Sequence, residues 1–192
     1  NKFFKRILFQ MMKLYQLMIN TLRKMDQEYY DVKIIKKADY LFDELWDSTK
    51  TKFMNTNVRT SEVLNWYCSN DGVHNNIILG CYQGNKLLGY MLCTYEQETI
   101  LKRIKVVDFW GYIDDEQVVK SLLKRLLKYG AENNYDLVLL PVFHEKIKAS
   151  CKRYIIHRQG MPMRFKARKG ILNKIAKEPS YFTFLQGDWG LF

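Results

Sequence analysis

The chain has 192 residues, 47% hydrophobic and 15% aromatic. That suits one globular domain with a substantial core and argues against a disordered chain. The formal net charge is +11, with a pI near 9.4, which bears on partners and solubility and says nothing about fold. Four cysteines (Cys68, Cys81, Cys93, Cys151) without C-x-x-C spacing and three scattered histidines argue against a disulfide scaffold and a zinc site, and no apolar run is long enough to span a bilayer.

Residues 3–22 place Phe4, Ile7, Leu8, Met11, Tyr15, Met18 and Leu22 at spacings of three and four, which predicts an amphipathic helix. Residues 1–24 carry six Lys/Arg and no acid. The apolar face of this helix therefore packs on a protein domain or lies on an anionic membrane surface. After a polar break at Asp26–Glu28, "DVKIIK" (31–36) reads as a short strand. Asp39 is an N-cap signal for a helix with Leu41, Phe42, Leu45 and Trp46 on one face. Ser61 opens a second short helix, "SEVLNWYC". The segments 75–82 and 86–95 flank "QGN", a hairpin signal, and "LKRIKVVDFW" (101–110) reads as the next strand. Asp114 with Gln117 three residues on predicts a capping box, followed by a helix with Val118, Val119, Leu122, Leu123, Leu126, Leu127 and Ala131. "YDLVLLPV" (135–142) predicts a strand buried on both faces. A helix over about 143–153 follows, and "MRFKAR" (163–168) and "YFTFL" (181–185) read as two last strands.

This order predicts an α/β (α+β) fold: a mixed sheet with helices on its faces and a right-handed βαβ crossover through the helix at 116–132. It resembles the GNAT superfamily of N-acyltransferases over about residues 31–192. Four stretches carry the resemblance: "VRTSEVLNWYC" (58–68), "VVDFWGY" (106–112), "ASCKRY" (149–154) and "YFTFLQGDWGLF" (181–192). The first and last resemble signatures of GNAT-like proteins from bacterial surface-polysaccharide clusters. The resemblance implies a mostly antiparallel sheet with one splayed parallel pair. It also implies an amphipathic connecting helix at 1–28, an acyltransferase domain at 29–192, and an upstream domain of which this chain is a C-terminal half. The abrupt start at Asn1, without Met, agrees with that expectation.

The resemblance further implies acetyl-CoA or another acyl-CoA as donor and an amine, such as an amino sugar, as acceptor. Phe109, Trp110, Gly111, Tyr112 and Gln117 fall where the family holds the donor, with the pyrophosphate on the N–H groups that open a helix. Asp108 falls where a general base sits, and Tyr154 where an acid protonates the leaving thiolate. Each has a bland alternative: a hydrogen-bonded strand-end carboxylate and a half-buried core tyrosine. The loop 111–123 lacks the second and third glycines of the family pattern. Asp114, Asp115 and Glu116 are expected to repel a pyrophosphate, since like charges about 4 Å apart cost on the order of 1 kcal/mol in water. That loop favours the alternative of a catalytically degenerate half that binds a partner. His144 either contacts substrate or opens a helix. Trp66 and Trp110 are expected in the core rather than as sugar-stacking platforms.

Residues 144–178 carry eleven Lys/Arg against Glu145 and Glu178. Arg158 and Arg164 are candidate contacts to an anionic small molecule or glycan acceptor. A solvated basic surface is the plain alternative, and the absence of a nucleic-acid motif disfavours DNA or RNA. The expected location is cytoplasmic, with peripheral membrane contact through residues 1–24.

Overall fold

The computed structural model describes residues 6–7, 10–11, 29–69, 76–97, 101–141, 144–152, 177 and 179–186. Of the leading segment, Arg6, Ile7, Gln10 and Met11 are helical. The rest of that helix and the strand expected at 163–168 lie outside the described residues.

Among the described residues five strands form one sheet in chain order: β1 (Asp31–Ile35), β2 (Ile77–Gln83), β3 (Lys86–Gln97), β4 (Lys102–Gly111) and β5 (Leu137–Leu139). The first four pair antiparallel, and β5 runs parallel to β4. β2 and β3 turn at Gly84–Asn85, where Gly84 takes φ 59°, a left-handed conformation open to glycine. Among the described residues the helices that flank it are α1 (Tyr40–Thr49), α2 (Ser61–Cys68), α3 (Glu116–Glu132) and α4 (Glu145–Cys151). Mixed sheet, parallel pair and flanking helices agree with the fold class expected from the sequence.

Gly89 and Tyr90 are neighbours on β3 and so point to opposite faces. The Tyr90 ring lies 5.5 Å from Phe42 of α1, whereas a Cβ on Gly89 would meet Val118 of α3. Hence α1 and α3 cover opposite faces. Phe42, Leu45 and Leu64 close one side, and Val118, Val119, Leu122, Leu123 and Leu126 close the other, all buried. Full burial of one such side chain contributes roughly 1.5–3 kcal/mol.

Local chemistry sets the helix ends. Asp39 caps α1 through the Leu41 N–H at 3.1 Å. Thr60, rather than Ser61, is the N-cap of α2. Ser61 instead gives its N–H and hydroxyl to Asp43, both at 2.7 Å. Asp115, not Asp114, caps α3, accepting from the Gln117 N–H at 2.9 Å and from the Tyr30 hydroxyl at 2.8 Å.

Two expected strands differ. The apolar run at 135–142 yields only Leu137–Leu139, half-buried, because β5 leaves β4 after three rungs. The segment at 181–185 forms no ladder among the described residues. Ser180 makes one parallel bridge to Asn55, and Phe184–Gln186 closes as a 3-10 turn. Its polar groups are taken up by the loop before α2. Trp66 also departs from expectation: it is 54% exposed, while Trp110 is buried. Leu64 faces the core, and a residue two places along a helix points away from that face.

Candidate functional site

The β4–β5 pair holds at Arg103–Leu137, Ile104–Val138 and Lys105–Leu139 and then parts. The cause lies in β4. Cys93 faces Val106 and Leu92 faces Asp108, so Val107 has no opposite residue. Such a bulge bends its strand and increases local twist. From Val106 to Gly111 β4 keeps β3 as its only strand partner among the described residues. The Tyr112 N–H bonds the Leu88 carbonyl at 2.9 Å. By alternation, Phe109 and Gly111 turn their backbone groups away from β3 towards the opening.

Gly111 makes this geometry possible. It takes φ 144°, and a Cβ there would lie 2.4 Å from the Gly89 Cα and the Leu88 oxygen. Only glycine fits both the conformation and the close backbone approach.

The far wall of the opening comes from the segment 179–186. The Pro179 carbonyl accepts from the Met54 N–H at 2.9 Å, and the Tyr181 N–H donates to Asn55 at 2.9 Å. The Tyr181 side chain is fully buried, and its hydroxyl donates to the Phe109 carbonyl at 2.6 Å. Its ring lies 5.0 Å from Phe53 and 5.4 Å from Trp110. Burial, then the charge of Asp108, pushes its phenol well above 10, against the opposing effect of Arg59.

Beneath this segment lies a sealed charge pair. Arg59 and Asp108 side chains are both 0% exposed. Arg59 Nε bonds Asp108 at 3.0 Å, and Nη2 reaches the other carboxylate oxygen at 3.1 Å. Nη1 donates to Thr56 Oγ1 at 2.5 Å and to the Asn57 carbonyl at 2.8 Å, and Nη2 to Thr183 Oγ1 at 3.3 Å. The guanidinium also stacks 4.4 Å above the Trp110 ring. Every nitrogen of the fork thus has an acceptor, the condition under which a buried charge is tolerated. Tyr90 donates its hydroxyl to the same carboxylate at 2.7 Å. A carboxylate so engaged does not face an acceptor, which a general base must reach directly or through one water. Asp108, expected as that base, here holds the Arg59 charge.

At the start of α3 the acids are not a bare negative cluster. Asp114 pairs with Lys52 at 2.9 Å and with Lys146. The Lys146 contact first, then Lys52, holds its carboxyl down to about 2. The expected repulsion of an anion is therefore offset by two lysines. Lys52 and Lys86 also lie 5.5 and 5.1 Å from the centre of the Tyr112 ring. Tyr112 donates to Ser48 at 3.3 Å. That contact with Ser48, then the Lys86 contact, lowers its phenol from the usual 10, against its partial burial.

The other expected site residues divide clearly. Phe109 and Trp110 are buried, and the Trp110 indole N–H donates to Thr49 Oγ1 at 2.7 Å. The Gln117 side-chain oxygen is buried without a described partner. His144 caps α4, its Nδ1 accepting from the Lys146 N–H at 3.2 Å. Burial, then the Lys146 charge, lowers its pKa from 6.5. His144 and Phe53 rings meet edge to face at 5.9 Å, which brings His144 to the same wall as Tyr181. Tyr154, Arg158 and Arg164 lie outside the described residues. Arg59 and Tyr181 were not singled out as site residues, although both fall in the stretches that carry the resemblance. A lone Arg before a short helix and a Tyr in an aromatic run give no chemical signal until the fold joins them.

No family model matches the sequence, and no curated protein matches it. Solved structures do match in shape. An aminoglycoside acetyltransferase from an uncultured soil metagenomic sample, in complex with trehalose, superposes with a TM-score of 0.56 at 10% identity, over 73% of this chain and 97% of that one. A ribosomal-protein-alanine N-acetyltransferase from Brucella melitensis biovar Abortus 2308 gives 0.52 at 16% identity, over 72% and 98%. Glucosamine-6-phosphate N-acetyltransferase from Arabidopsis thaliana gives 0.51 at 14% identity, over 70% and 98%. Identities this low speak to fold alone. The chain therefore has the fold of the GNAT N-acetyltransferases.

Proposed function

We propose that this domain is an N-acyltransferase that takes its acyl group from acyl-CoA and delivers it to an amine. The observation that carries the reading is the three-rung β4–β5 pair, parted at the Val107 bulge, with the start of α3 beyond Gly111. Such an opening turns the Phe109 and Gly111 N–H groups towards an extended, amide-bearing ligand, while the Gly111 carbonyl is taken by the Ile113 N–H and the Phe109 carbonyl by Tyr181. Lys52, Lys86 and Lys146 lie near the α3 N-terminus, where an anionic end of that ligand gains from lysine charge and the helix dipole. The ligand supplies an acyl thioester. The chain's part is to align it along β4, with the Arg59–Asp108 pair fixing the loop before α2 against that strand. Tyr154 is the proposed proton donor to the departing thiolate, with Arg158 and Arg164 on the acceptor side.

The proposed acceptor is an amino sugar or related amine of surface-polysaccharide synthesis, supported by the resemblance of 58–68 and 181–192 to such proteins. The assay is release of free thiol from acetyl-CoA across a panel of amines, amino sugars and nucleotide-linked amino sugars included. Acetylated product with at least one amino sugar is expected. Thiol release no faster than without protein, across the whole panel, would remove the enzymatic reading.

A second reading, a non-catalytic half that binds beside another domain, is favoured by the closed state of Asp108. Acetyl-CoA binding without any acyl transfer is the outcome that would select it.

A further inference from the structure

The Phe109 carbonyl, turned towards the β4 opening, already has a partner, and that partner is a side chain from the segment 179–186. We infer that Tyr181 is a built-in competitor of the acyl donor. Its hydroxyl holds the β4 acceptor that an amide N–H of the donor's arm would use, so the segment 179–186 withdraws when a donor enters. The inference rests on the acyl-CoA reading and goes further, because it makes donor binding and the position of this segment one equilibrium.

Three observations support it. First, Tyr181 imitates a ligand: a hydroxyl donor, fully buried, seated where the sheet would otherwise gain a strand. Second, the segment can leave without exposing a bare charge. The segment gives Arg59 its longest hydrogen bond, to Thr183 at 3.3 Å, and a ring contact to Tyr181 at 5.5 Å, whereas the bonds to Asp108, Thr56 and Asn57 come from β4 and the loop before α2. The buried pair survives withdrawal. Third, apart from that of Tyr181, the described side-chain hydrogen bonds to the segment are long, at 3.1–3.3 Å. Asn57 reaches the Leu185 carbonyl at 3.3 Å, Asn55 reaches Ser180 at 3.1 Å, and Tyr67 reaches Leu185 at 3.1 Å. No β-ladder fixes it among the described residues.

The test is calorimetric titration of acetyl-CoA into the wild type and Tyr181→Phe, which removes one hydroxyl and keeps the ring. One net hydrogen bond corresponds to a factor of about five, so Tyr181→Phe should bind acetyl-CoA about fivefold more tightly. Hydrogen–deuterium exchange on the wild type supplies a readout independent of the variant. Adding acetyl-CoA should speed exchange in peptides covering 179–186. Equal affinity in the two proteins, or weaker binding by Tyr181→Phe, overturns the inference and leaves the acyl-CoA reading standing. So does slower or unchanged exchange at 179–186 while acetyl-CoA binds. Binding by neither protein removes both.

Discussion

Arg59 and Asp108 show how much one buried pair can organise. The guanidinium joins the loop before α2, strand β4 and the segment 179–186, and Trp110 covers its face. Removing one partner of such a pair leaves the other charge buried and uncompensated, at roughly 3–5 kcal/mol. Asp108→Asn should therefore lower the urea midpoint strongly. A base acting only on substrate would lose activity with stability intact, so the denaturation curve separates the two roles. Gly111→Ala should be as damaging for a backbone reason: its Cβ has no room beside Gly89 and Leu88. A loss of more than about 3 kcal/mol, or failure to fold, is expected. His144 has a pH signature. Its folded pKa lies below the ordinary 6.5, so as pH falls the unfolded chain takes the proton first. The unfolded state then binds more protons, and stability falls with pH below about 6.5 until the folded form also titrates. Protonation also ends the Nδ1 cap of α4. His144→Asn, which can still cap, should flatten the change in melting temperature between pH 7.5 and 5.5.

At the scale of elements, the periodic pieces were legible and the irregular ones were not. The helix faces, the hairpin at Gly84–Asn85 and the long β3 and β4 strands follow from spacing and turn chemistry. The capping residue of α3 did not, because Asp114 and Asp115 offer the same carboxylate one residue apart. Only the folded chain brings Lys52 and Lys146 to the first and Tyr30 to the second. Asp115→Ala should cost about 1 kcal/mol for the lost cap, read from urea denaturation, with Asp114→Ala costing less because that carboxylate is half-exposed and its pairs are screened. The Asp114 pairs should fade only between about pH 4 and 2. Its folded value, near 2, lies below its unfolded one, so the stabilisation is present above the unfolded pKa and is lost as pH falls through the folded one. The run at 181–185 was misleading for a related reason. Alternating Tyr181, Thr183 and Leu185 suit a strand, yet their partners are the Arg59 fork, the Phe109 carbonyl and the Tyr67 hydroxyl, none of which a local pattern encodes.

For the whole molecule, the net charge of +11 is less informative than the places where charge is matched. The acidic start of α3 carries lysines from both sides. One comes from the 3-10 turn after α1 and one from α4, and they convert an expected barrier into a mixed site. Among the described residues no helix is long and apolar enough to cross a membrane. The site and the sheet are coupled by construction: the bulge at Val107, the constraint at Gly111 and the early end of β5 together make the opening. The opening is proposed to take an acyl thioester of coenzyme A. Calorimetric titration of the intact protein with acetyl-CoA tests it most directly. Saturable binding to one site per chain is predicted, weakened by salt because the lysines are solvent-exposed. No heat of binding at millimolar acetyl-CoA, from protein that still melts cooperatively, would contradict it.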